Sequence, residues 1–175
     1  NLDSNPTITN LTPQGSGGDV SVDEDDLLAS RGAGEAAGSD TSKESTTQGG
    51  TFTITAGDGV ADLSSGGNAF ITNGVFTAGS FTTALGNTLS VTAYNAGTGV
   101  VSYTYTLLDN EAHAAANGEN ALFENFAVHL TDTDTGVADS TLSVRIVDDV
   151  PTAEADVDKT PSATANGNVI LGTGM

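Results

Sequence analysis

The sequence predicts an all-β sandwich, on three observations. Apolar residues recur with a period of two, glycine-bearing turns separate the apolar runs, and no stretch keeps a helical stripe. Phe126, Val128 and Leu130 share one face while His129 points the other way. Leu142, Val144 and Ile146 alternate with Ser143, Arg145 and Val147, and Val101, Tyr103, Tyr105 and Leu107 form a third inward row. The Ala-rich segment 111–116 is too short to propagate as a helix alone.

Taken in order, strands are expected at 7–11, 20–22, 52–55 and 60–63. Asn73-Gly74 then joins Phe70-Ile71-Thr72 to Val75-Phe76-Thr77, and both turn residues tolerate positive φ, as a two-residue hairpin needs. Segments 89–94 and 100–108 flank Asn95-Ala96-Gly97-Thr98-Gly99, a second hairpin loop. Residues 30–50 hold no large apolar side chain and read as an exposed loop. Eight or more short strands without helices imply a Greek-key, immunoglobulin-like antiparallel sandwich, with a closed barrel as the alternative.

The chain also repeats its own beginning. Asp3, Pro6 and Thr7 are answered by Asp148, Pro151 and Thr152 at one constant offset. Residues 1–150 therefore read as one unit, and 151–175 as a linker and the first strands of the next, in a tandem array.

Charge narrows the function. The chain carries 23 acidic residues against 4 basic ones, a formal net charge of -19. That sign opposes phosphate-neutralising nucleic-acid binding and attraction to an anionic membrane surface. There is no cysteine, which excludes disulfides and thiolate metal sites. No run approaches transmembrane length. This composition suggests a secreted bacterial protein whose carboxylates bind calcium.

The acidic residues cluster at expected strand ends. The clusters are Asp23, Glu24, Asp25 and Asp26; Asp109, Asn110 and Glu111; Asp132 and Asp134 with Asp139; and Asp148 with Asp149. Asp156 and Asp158 follow in the next unit. Calcium takes six to eight oxygen ligands, and Asp132-Thr133-Asp134 would point two carboxylates to one side of a turn that Gly136 tightens. Asp and Asn are also turn formers in their own right, so each cluster alone has a purely local reading. Four clusters together would repel without cations.

Enzyme chemistry finds no foothold. His113 and His129 sit in no recognisable motif, and there is no nucleophile elbow, zinc helix or phosphate loop. With no Trp, Tyr94 is the one ring placed to face a sugar, the alternative being a calcium-dependent carbohydrate- or peptide-binding module.

Four stretches carry a family resemblance: residues 18–27 (GDVSVDEDDL), 99–110 (GVVSYTYTLLDN), 123–128 (FENFAV) and 141–153 (TLSVRIVDDVPTA). In that order they resemble the tandem extender repeats of giant type I-secreted bacterial adhesins, the repeats-in-toxin (RTX) biofilm adhesins. Asn168-Val169-Ile170-Leu171-Gly172 resembles the start of a further repeat. The resemblance implies immunoglobulin-like or cadherin-like sandwiches joined end to end, stiffened by calcium, at the surface of a bacterial cell. Neighbouring repeats would be the direct partners, with a glycan or protein ligand bound elsewhere in the adhesin.

Overall fold

The computed structural model describes residues 4–27, 45–114 and 120–149. Eleven strands are found among them: β1 (Thr7–Thr9), β2 (Val20–Asp23), β3 (Thr47–Thr55), β4 (Val60–Ser65), β5 (Asn68–Thr72), β6 (Val75–Phe76), β7 (Gly79–Thr82), β8 (Thr88–Asn95), β9 (Val100–Thr106), β10 (Ala121–Asp132) and β11 (Val137–Val147). Single 3-10 turns at Gln14–Ser16 and Glu24–Asp26 complete the regular structure. One sheet has the order β1-β3-β9-β8-β7 and the other β2-β11-β10-β4-β5-β6. Their inner faces meet in a sandwich.

The three alternating rows supply the core. Val101, Tyr103, Tyr105 and Leu107 are buried, as are Phe126, Val128, Leu130, Leu142, Val144 and Ile146. Phe52, Ile54, Leu63, Ile71, Leu89 and Val91 fill the space between them. Aromatic rings extend the core toward the edge, with Phe81 and Phe126 edge to face at 5.9 Å between centroids. Such a core binds the sheets through apolar area removed from water, about 25 cal/mol per Å2.

Both expected hairpins form. Ile71 pairs Phe76 and Thr72 pairs Val75 around Asn73 and Gly74, at φ 49° and 76°. Asn95 pairs Val100, and the Gly99 amide donates to the Asn95 carbonyl.

Three expectations change. Residues 47–50 are the first half of β3 instead of loop, while 30–44 lie outside the described residues. The missing apolar side chains have a packing reason: Gly50 pairs with Tyr103, whose ring occupies the space a Cβ would need. At the tip of the β10–β11 hairpin, the left-handed residue is Thr135, at φ 78°. Gly136 is required by close approach, because a Cβ there would collide with the Asp132 carboxylate and the Pro6 ring. Finally, β11 begins at Val137, so Asp139 is a strand residue. The expected repeat boundary falls on Asp3 and residues 150–175, which lie outside the described residues.

Topology gives the sandwich two poles. At the first lie the ends of β2, β9 and β11 and the starts of β3, β8 and β10, as the pairs Val147–Asp23, Ala121–Val147 and Thr88–Thr106 require. At the second lie the start of β1, the end of β3 and the tip of the β10–β11 hairpin. The β2–β11 pair is parallel, whereas all the other pairs described are antiparallel.

Leu142→Ala removes a fully buried side chain from the centre of β11. It should cost about 2–5 kcal/mol in urea denaturation, with an unchanged slope.

Candidate metal centre

The first pole gathers three of the four acidic clusters. The backbone of β2 ends at Asp23, whose Oδ1 accepts the Asp25 amide at 2.9 Å and caps the 3-10 turn Glu24–Asp26. Such a cap satisfies one amide that the turn leaves open. The turn then folds back against the sandwich, leaving Glu24 3%, Asp25 2% and Asp26 7% exposed. The parallel β2–β11 register sets Val147 beside Asp23, so Asp148 and Asp149 follow at the same edge. From the other sheet, the segment after β9 brings the Glu111 amide to Glu24 Oε1 at 2.7 Å.

Further side chains lie with this cluster. Asn87, almost fully buried, donates from Nδ2 to Glu111 Oε1 at 2.6 Å and accepts the Leu108 amide on Oδ1 at 2.9 Å. Glu124 reaches inward from β10, where its Oε2 accepts the Tyr105 hydroxyl at 2.7 Å and its Oε1 the Leu85 amide at 3.1 Å. His113 lies with Nε2 3.1 Å from Glu24 Oε1 and Nδ1 2.9 Å from Asn120 Oδ1. One donor atom each from Glu24, His113 and Asp148 falls within 4.8 Å of the other two.

The charges acting on Glu111 at this pole are acidic. Burial raises the Glu111 carboxyl above its ordinary range; the Asn87 bond opposes this, and the charges of Glu124, Glu24 and Asp109 add to it. Desolvation likewise pushes the Tyr105 phenol far up, with Glu124 reinforcing the shift by hydrogen bond and by charge. Arg145 is the only Lys or Arg among the described residues, and it lies on β11 between Phe123 and Ser21. A buried carboxylate is costly unless hydrogen bonds or a cation compensate it. The donor set is mainly carboxylate oxygen, which suits a hard cation such as calcium.

The remaining predicted residues are placed elsewhere. Asp132 and Asp134 are at the second pole. Asp132 is 2% exposed and acts as a turn former: its Oδ1 accepts the amides of Asp134 at 3.2 Å and Gly136 at 2.7 Å. Its Oδ2 is buried without a hydrogen bond. Asp58 joins this pole, accepting the Ser4 amide and hydroxyl on Oδ2. Asp139 faces solvent on the sheet surface and meets His129 across the hairpin, Nδ1 to Oδ1 at 2.6 Å. It is therefore separate from the loop carboxylates with which it was grouped. Asp109, whose Oδ1 accepts the Asn110 amide, stays with Glu111 at the first pole.

Sequence reasoning missed Glu124, Asn87 and Asn120, and found no motif for His113. Glu124 was accessible to it: on β10 it shares parity with Phe126 and Val128, and an acidic residue on an inward row calls for a partner. The roles of Asn87 and His113 depend on contacts with segments distant in sequence, whereas the Asn120 side chain reaches back only as far as Ala114 and His113.

Comparison with known proteins finds no matching family model, no matching curated protein and no matching solved structure.

The folded value of Glu111 lies above its unfolded one. Its contribution to stability is therefore complete below the unfolded value and is lost as pH rises through the folded value. At neutral pH without cations, Glu111→Gln should raise the denaturation midpoint, and the gain should vanish in acid. A pH series of urea titrations reads both. Tyr105→Phe removes the donor to buried Glu124 and should cost about 1–3 kcal/mol at pH 7. It should also reduce the loss of stability above the ordinary phenol value of 10.0.

Proposed function

We propose that this chain is a calcium-stabilised structural extender module of a bacterial surface adhesin, projecting a ligand-binding tip away from the cell. The observation that carries the reading is the polarity of the sandwich. Pro6, in the first copy of the D-x-x-P-T motif, packs by Gly136 at the second pole. Asp148, which opens the second copy, sits at the first pole, its amide bonded to the Asn120 carbonyl. A following unit built the same way would begin where this one presents Glu24, Asp25, Asp26, Glu111, Asp148 and Asp149. Its own counterparts of Asp58, Asp132 and Asp134 would then face them. Acid would meet acid at every joint, and calcium would bridge the two surfaces.

The strand order supports the finer fold assignment, an immunoglobulin-like or cadherin-like Greek key. The chain's first strands divide between the sheets, β1 beside β3 and β2 parallel to β11. The chain also crosses between sheets from β3 to β4, β6 to β7 and β9 to β10. No catalytic constellation enters the reading; the chemistry it needs is cation coordination. The location it implies is extracellular, at the cell surface.

A ligand-binding module is the second reading. A cleft of about 430 Å3 at the second pole is lined by Tyr94, Ile54, Val60 and the glycines of three turns. Tyr94 is half-buried on Phe76, with centroids 6.2 Å apart, so it offers a sugar one supported face.

A two-unit protein, measured by small-angle scattering, separates the readings. Calcium should lengthen and stiffen wild type, and Asp148→Ala with Asp149→Ala should abolish that response while each sandwich stays folded. Identical maximum dimension and flexibility with and without calcium would reject the extender role.

A further inference from the structure

We infer that Glu24, His113 and Asp148 form a second kind of metal site, for a borderline first-row divalent cation of the zinc class, with His113 as its nitrogen ligand. This goes beyond the calcium reading, because calcium coordination draws on oxygen and gains little from imidazole.

The inference starts from Asn120. Its Nδ2 lies 3.1 Å from the Ala114 carbonyl, which can only accept a hydrogen bond. The amide orientation is thereby set, and Oδ1 faces His113 Nδ1 at 2.9 Å. An amide oxygen also only accepts, so Nδ1 carries the proton. In the neutral ring this leaves the Nε2 lone pair aimed at Glu24 Oε1, 3.1 Å away, an acceptor facing an acceptor. Something positive belongs between them. The His113 and Glu24 side chains are only 5% and 2% exposed, so water screens this contact little.

A proton on Nε2 would satisfy two of the atoms. Three residues converge, because one donor atom each of Glu24, His113 and Asp148 lies within 4.8 Å of the other two. A divalent ion would use all three and offset two negative charges where a proton offsets one. Imidazole with two carboxylates suits zinc and its neighbours. The Nδ1–H to Asn120 bond is the outer contact that orients a metal-bound histidine and fixes its tautomer. Glu111, by donating its amide to Glu24 Oε1, orients the carboxylate in the same way.

The test uses the full chain stripped of metal and titrated calorimetrically with zinc in a large excess of calcium. One equivalent should bind. His113→Ala should weaken it at least tenfold, and Asn120→Ala by about 10–100-fold. His129→Ala, at the only other histidine, should leave it unchanged. Circular dichroism checks that each variant is folded, and nitrogen NMR of the imidazoles in wild type gives a readout independent of mutation. Zinc should move the His113 Nε2 resonance while Nδ1 stays protonated. No zinc uptake, equal affinity in folded His113→Ala, or an Nε2–H that persists under saturating zinc would overturn the site. Loss of the zinc response with calcium stabilisation intact rejects this site alone. The reverse result rejects the extender reading alone.

Discussion

Three consecutive carboxylates, Glu24 to Asp26, are held almost out of water at one end of the sandwich, and much of the surrounding structure answers to that burden. The chain turns through a capped 3-10 helix to place them. A parallel β2–β11 pair adds Asp148 and Asp149 at the same edge, and the segment after β9 adds Glu111. Among the contacts that position them are Asn87 on Glu111 and the Glu111 amide on Glu24. Hydrogen bonds of this kind orient carboxylates without cancelling their charge. Cations bound at this pole, as proposed, would offset that charge.

Much of the fold was legible because its physics is local. Tyr103 and Tyr105 on one strand and Phe126 and Val128 on another announce their inward faces through strict alternation, and Leu142 and Val144 do so on a third, where Ser143 and Val147 of the opposite face are buried as well. Asn73-Gly74 names its own turn, since few other pairs adopt positive φ twice in succession. Where the reading failed, a distant residue decided the matter. Gly49 and Gly50 look like loop until the ring of Tyr103 is laid across Gly50. Gly136 looks like a φ-driven turn glycine until the Asp132 carboxylate and Pro6 close around it.

The acidic clusters were legible in the sequence, and their arrangement only partly. Acidic residues at strand ends could be counted, but which ends share a pole depends on strand order. Strand order separates Asp132 and Asp134 from Glu24 and gives Asp139 to His129. The same order carries His113 from an unremarkable loop to the side of Glu24. At Asp132 the turn-forming reading holds. One oxygen closes a turn, and the other is buried without a hydrogen bond.

The central claim is that cations hold the first pole together, and denaturation of the metal-stripped chain tests it most directly. With free calcium about 100-fold above its dissociation constant, native-state binding at one site adds about 2.7 kcal/mol. Wild type should show a gain of at least that order. A variant with Glu24→Gln, Asp25→Asn and Asp26→Asn should be folded without calcium and respond little to it. Equal stability of wild type in chelator and in calcium, with no heat of binding, would contradict the account.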